Sequence, residues 1–92
     1  MVGLLHVEVY LPSAHSLKDK RSALDGLVGR LRSRFNVAVA QLNADEKWQR
    51  ATVGIATIGD DRAYVDGLLK QVTEWLRRYR LVELVRIEQD IW

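Results

Sequence analysis

Apolar and polar side chains alternate between residues 2 and 11, with Leu5, Val7, Val9 and Leu11 on one face and Leu4, His6, Glu8 and Tyr10 on the other. That period of two is the signature of a half-buried strand, and Pro12, which lacks a backbone donor, closes it. The period then changes. Leu17, Leu24, Leu27, Val28, Leu31 and Phe35 recur at helical spacing, and Ser16 stands three residues before Asp19, close to a capping box, so a first helix is predicted over about 17–34. Asn36, a residue that tolerates left-handed backbone, is the expected stop.

Residues 37–42 and 51–58 read as two strands joined around Ala44, Asp45, Glu46 and Lys47, a connection short enough for an antiparallel hairpin. Neither strand alternates cleanly: Ala38, Ala40, Gly54 and Ala56 are small, which predicts one flat, weakly polar sheet face. Gly59-Asp60-Asp61 breaks the pattern and offers an Asp cap. Val65, Leu68, Leu69, Val72, Leu76 and Tyr79 then mark a second helix over about 62–79, whose basic end at Arg77, Arg78 and Arg80 suits the negative pole of the helix dipole. In residues 81–91, Val85, Ile87 and Ile91 oppose Arg86, Glu88 and Asp90, a long fourth strand.

The order β-α-β-β-α-β folds most compactly as an α+β, ferredoxin-like sandwich: a four-stranded antiparallel sheet with both helices on one face. At 92 residues the chain has enough material for one core, so a single domain, 1–92, is expected, and beyond the pseudo-symmetry of two β-α-β halves there is no internal repeat. Electron carriers, phosphatases, RNA binders and small-molecule sensors all use this fold. It therefore selects no activity.

Composition narrows the field. With 48% hydrophobic and 28% charged residues the balance is that of an ordinary globular protein, and the absence of cysteine excludes disulfides, thiolate metal sites and cysteine nucleophiles. No apolar run approaches the roughly 18 residues that span a bilayer, and the first residues lack a basic leader, so a cytoplasmic protein without a membrane partner is expected. The net charge is only +2, but residues 1–36 carry six Lys/Arg against three Asp/Glu while residues 59–92 carry six against seven. That local excess permits an anionic partner near the first helix and falls short of the dense basic stripe of a committed nucleic-acid binder.

The run His15-Ser16-Leu17-Lys18-Asp19-Lys20-Arg21-Ser22, followed by Arg34-Phe35-Asn36-Val37-Ala38-Val39-Ala40 and by Trp48-Gln49-Arg50-Ala51, resembles the YlxP-like family of small bacterial proteins of unknown function. The resemblance covers essentially the whole chain. It implies a ferredoxin-like fold, a bacterial cytoplasmic setting and genes neighbouring those of translation-initiation and ribosome-maturation factors, and it supplies no catalytic residues to carry over. Gln41 departs from the acidic residue expected in many relatives.

Two groups of residues stand out as candidate sites. Ser13, His15, Ser16, Lys18, Lys20 and Arg21 surround a helix start, whose unpaired N–H groups and positive dipole favour phosphate; with Arg30, Arg32 and Arg34 they form a candidate anion or RNA site. The plainer alternative is a capped helix start with solvated cations, and Asp19, already an anion on that dipole, favours it. Lys20 falls near the apolar side, where its stem packs and its amine snorkels.

Ser22, Gly26, Gly29 and Ser33 line up on the side of the first helix opposite Leu24, Leu27 and Leu31, and together with Tyr10, Ala38 and Ala40 they are candidates for an oligomer interface. Each helical glycine costs about 0.5–1 kcal/mol relative to alanine, so the pair at Gly26 and Gly29 asks for a reason; close packing of a partner is one, tolerated drift on an exposed face the other. The strand over residues 51–58 has no aromatic, which argues against base stacking on the sheet, and Trp48 is expected to cover an edge of the core. His6 and Glu8 share a strand face without a third metal ligand, the loop Pro12-Ser13-Ala14-His15 lacks the glycine-rich, arginine-containing phosphate loop of an acylphosphatase, and His15-Ser16 has no orienting acid.

These features point to a non-enzymatic, self-associating interaction module with no cofactor and no metal. The alternative is a weak RNA- or ribosome-associated accessory protein using the first helix's cations. Ligand sensing at a dimer interface is a third possibility for this topology.

Overall fold

Every element expected from the periodicity is present in the computed structural model, which describes residues 1–42 and 49–92. In chain order they are β1 (Val2–Tyr10), α1 (Leu17–Arg34), β2 (Ala38–Leu42), β3 (Arg50–Ile58), α2 (Arg62–Arg78) and β4 (Glu83–Ile91). The strands form one antiparallel sheet in the order β2-β3-β1-β4, the ferredoxin-like arrangement. The connection expected around Ala44–Lys47 and the role expected of Trp48 lie outside the described residues.

Alternation decides the layers. Leu5, Val7 and Val9 of β1 and Ala51, Val53 and Ile55 of β3 are buried beneath Leu24, Leu27 and Leu31 of α1 and Val65, Leu69, Val72 and Leu76 of α2. Each such Leu, Ile or Val contributes about 1.5–3 kcal/mol through burial. Gly3 is required for this packing, since a Cβ there would stand 2.5 Å from Val65 Cγ1 and 2.9 Å from Leu69 Cδ1. The one polar side chain buried on the inner face of β3, Thr57, donates through Oγ1 to the Asn36 carbonyl at 2.9 Å.

α1 ends at Arg34, with Phe35 in extended conformation as its C-cap, the Phe35 N–H donating to the Leu31 carbonyl, and Asn36 is the next residue, its carbonyl accepting from Thr57. Two local expectations are corrected. Leu17, counted in the apolar stripe, is 54% exposed and lines a pocket with Lys20, Leu42 and Ala51. Val85 is 46% exposed: the β1–β4 register shifts between Glu8 and Val9, leaving Val85 as an unpaired bulge residue. No helix among the described residues is long and apolar enough to cross a membrane.

Candidate functional site

The start of α1 is closed by its own side chains. Ser16 is the N-cap and its Oγ accepts from Asp19 N–H at 3.0 Å, while Asp19 Oδ2 accepts from His15 N–H at 3.0 Å, so a carboxylate already lies beside the helix start. Nor do the neighbouring candidates converge. Of the candidates, Ser13 and Arg30 meet, lining with Asp19, Ser22 and Gly26 a groove of about 300 Å³ that runs toward Tyr79 and Leu81, whereas Lys20 and Arg21 line a separate pocket of about 190 Å³ with Gln41, Leu42 and Thr52. Lys20 is only 8% exposed, in keeping with its position on the apolar side of the helix; Lys18 and Arg21 are exposed.

The three arginines at the end of α1 diverge. Arg30 Nη1 donates to the Gly26 carbonyl at 3.3 Å and to Tyr79 Oη at 3.4 Å, Arg32 Nη2 donates to the Val39 carbonyl at 2.9 Å, and the Arg34 guanidinium stands 5.9 Å from the Trp75 ring centre. They thus reach the end of α2, the edge of β2 and the flank of α2. Trp75, which the sequence reading did not single out, is the hub of this region: Tyr79 stacks on it at 4.9 Å and Phe35 meets it edge-on at 6.3 Å. The Trp75–Tyr79 spacing of four residues on one helix face was the available signal. The cluster clamps the two helices together, and each cation–π contact of this kind is worth about 0.5–1 kcal/mol at an exposed site.

The small-residue ridge on α1 is broken by the same contacts. A Cβ at Gly26 would meet Arg30 Nη1 at 3.1 Å, so the arginine lies over that glycine, while Gly29 faces open space. Ser33 Oγ donates to the Arg30 carbonyl, and Ser22 is exposed.

Neither helix covers the outer sheet face, because both lie on the other side, although Thr52 on it is buried and Gly54 and Ala56 are half-buried. Registers place its side chains in rows: Asp90, Leu4, Ala56 and Ala38; then Glu88, His6, Gly54 and Ala40; then Arg86, Glu8, Thr52 and Leu42; then Glu83, Tyr10 and Arg50. The half over β2 and β3 is apolar and low. Leu42 leans across Gly54, where an added Cβ would lie 3.2 Å from Leu42 Cδ1, and Ile58 is 71% exposed. The half over β1 and β4 is charged: Glu8, Glu83, Glu88 and Asp90 face Arg86 and Arg50, with Arg86 Nε 3.1 Å from Glu88 Oε1 and the Arg50 guanidinium 6.0 Å from the Tyr10 ring centre. Tyr10 therefore lies at the charged end of the face, apart from Ala38 and Ala40. A surface with this many carboxylates repels a phosphate backbone and suits an apolar protein contact with a polar margin.

His6 and Glu8 lie on this face, and among the described residues no three His, Cys, Asp or Glu side chains gather as a metal-binding group. The chain is similar to the uncharacterised protein YlxP of Bacillus subtilis (strain 168), with 29% identity over 83 residues that cover 90% of each chain. A family profile described as "Protein of unknown function (DUF503)" matches residues 2–89, and the chain belongs to that family.

Proposed function

We propose that this protein is a non-enzymatic, self-associating interaction module whose outer sheet face takes up a second copy of itself. The observation that carries this reading is the low apolar half of that face, which neither helix covers. Ala38, Ala40, Gly54 and Ala56 keep it low enough for another backbone to approach, and Leu4, Leu42 and Ile58 supply apolar area that water would otherwise cover. The charged half gives such a contact its margin. By contrast, the cations that an RNA-associated role would need are spread over several surfaces, with Asp19 seated at the helix start between them.

Light scattering at micromolar to millimolar concentration tests the reading. An assembly larger than the 10.6 kDa chain is expected, and Ala56→Glu should weaken it at least about tenfold, because a carboxylate exposed in the monomer would be buried unpaired in the contact. A wild-type chain that stays monomeric at millimolar concentration overturns self-association; an assembly indifferent to Ala56→Glu overturns the use of this face.

A further inference from the structure

The two edges of the sheet are unequal. Met1 and Gly59 exchange hydrogen bonds through both backbone pairs, as do Val2 and Trp92, and antiparallel pairing alternates from there. Even-numbered residues of β3 therefore bond to β2, so Val39 and Gln41 turn their backbone groups away from the sheet. The outward carbonyl of Val39 is already taken by Arg32 Nη2, and β2 has only five residues. On the other edge, the backbone groups of Ile87, Gln89 and Ile91 turn outward from β4, and among the described residues nothing bonds to them. Natural proteins blunt such an edge with charges, bulges, proline or a covering loop; β4 carries Arg86, Glu88 and Asp90 and a bulge at Val85, but no proline interrupts Arg86 to Ile91.

The charges on β4 discriminate among the ways of filling that edge. Hydrogen bonding requires outward-turned residues on both strands, which limits two-fold antiparallel self-pairing to a few registers. Centred on Glu88, the pairing sets Glu88 against its own copy; centred on Gln89, it sets Glu88 against Asp90 twice. Centred on Ile87, it sets Arg86 of each copy opposite Glu88 of the other, with no like-charge pair directly opposed. Under the same edge, between α2 and β4, lies a groove of about 350 Å³ lined by Leu5, Lys70, Thr73, Glu74, Ile87 and Gln89, with room for the second copy's Ile87.

We propose that β4 is a homotypic edge at which two copies pair antiparallel about a two-fold axis through Ile87, joining two four-stranded sheets into one continuous sheet. The ladder runs outward from Ile87 until it meets the bulge at Val85. This inference rests on self-association, and it is independent of the outer-face contact.

The experiment uses the full chain carrying Ala56→Glu, so that the outer face is disabled. Sedimentation should still find a dimer, with a dissociation constant raised roughly tenfold by Arg86→Glu and restored by Arg86→Glu combined with Glu88→Arg, since cross-strand charge pairs act in duplicate about the axis. Both side chains are exposed in the monomer, and circular dichroism of the variants checks that they fold. The chain has no cysteine, so single cysteines report the register. Ile87→Cys should cross-link to its copy across about 5.5 Å, whereas Ile91→Cys, about 26 Å from its counterpart, should not. Equal cross-linking at both positions, none at residue 87, or an affinity indifferent to Arg86→Glu overturns the edge pairing. A strictly monomeric Ala56→Glu protein overturns it as well, while leaving the outer-face contact standing.

Discussion

At the scale of single residues, the glycines separate packing from tolerance. Gly3 lies where β1 passes under α2, and the methyl of Gly3→Ala would have to displace Val65 and Leu69, so a loss of about 1–3 kcal/mol is expected by chemical denaturation. Gly29 meets nothing, so Gly29→Ala should raise stability by about 0.5–1 kcal/mol and leave assembly unchanged; an assembly lost in that variant would return the α1 ridge to the interface. Helical spacing alone could not draw this distinction, since it aligns Gly26 and Gly29 but is blind to Arg30 folding back over one of them. The same blindness explains Leu17 and Lys20. Spacing gives Leu17 a core position, yet the leucine is exposed while the lysine one turn later is buried.

At the scale of elements, the strands and helices were legible because each changes its hydrophobic period at a residue with its own reason to break: Pro12, Ser16, Gly59, Asp61. What joins one element to another was not, because partners distant in sequence leave no periodic trace. Asp66 of α2 is such a joint, accepting from Lys70 Nζ at 2.9 Å and from Gln89 Nε2 of β4 at 3.1 Å. The hydrogen bond from Lys70, followed by that from Gln89, holds its carboxyl below the usual carboxylate range. A folded-state value depressed in this way contributes stability above the unfolded pKa and loses it as pH falls through the folded one. Asp66→Asn should therefore differ most from wild type near neutral pH and converge with it below about pH 4, by an amount that shrinks with added salt because the pair is solvent-exposed. A wild-type acid limb that Asp66→Asn leaves unchanged would show that this joint carries no stability.

At the scale of the whole molecule, the two surfaces proposed for a second copy are the sheet face that neither helix covers and the β4 edge whose backbone groups turn outward. The flat face was legible in the small residues of β2 and β3; the free edge was not, because the alternation that makes Ile87 read as half-buried is silent on whether its backbone groups point to β1 or to solvent. An assembly through either surface binds folded chains only, so it shifts the folding equilibrium by mass action. The thermal midpoint of the wild type should rise by about 3–5 °C for each tenfold increase in concentration through the range where a dimer forms, given the unfolding entropy of a chain of this size. Ala56→Glu and Arg86→Glu should each reduce that dependence, and the double variant should reduce it further, shifting what remains about tenfold higher in concentration than in Ala56→Glu alone. A wild-type midpoint constant from micromolar to millimolar concentration would mean that neither surface is used by a second copy, and that the bare face awaits a different protein.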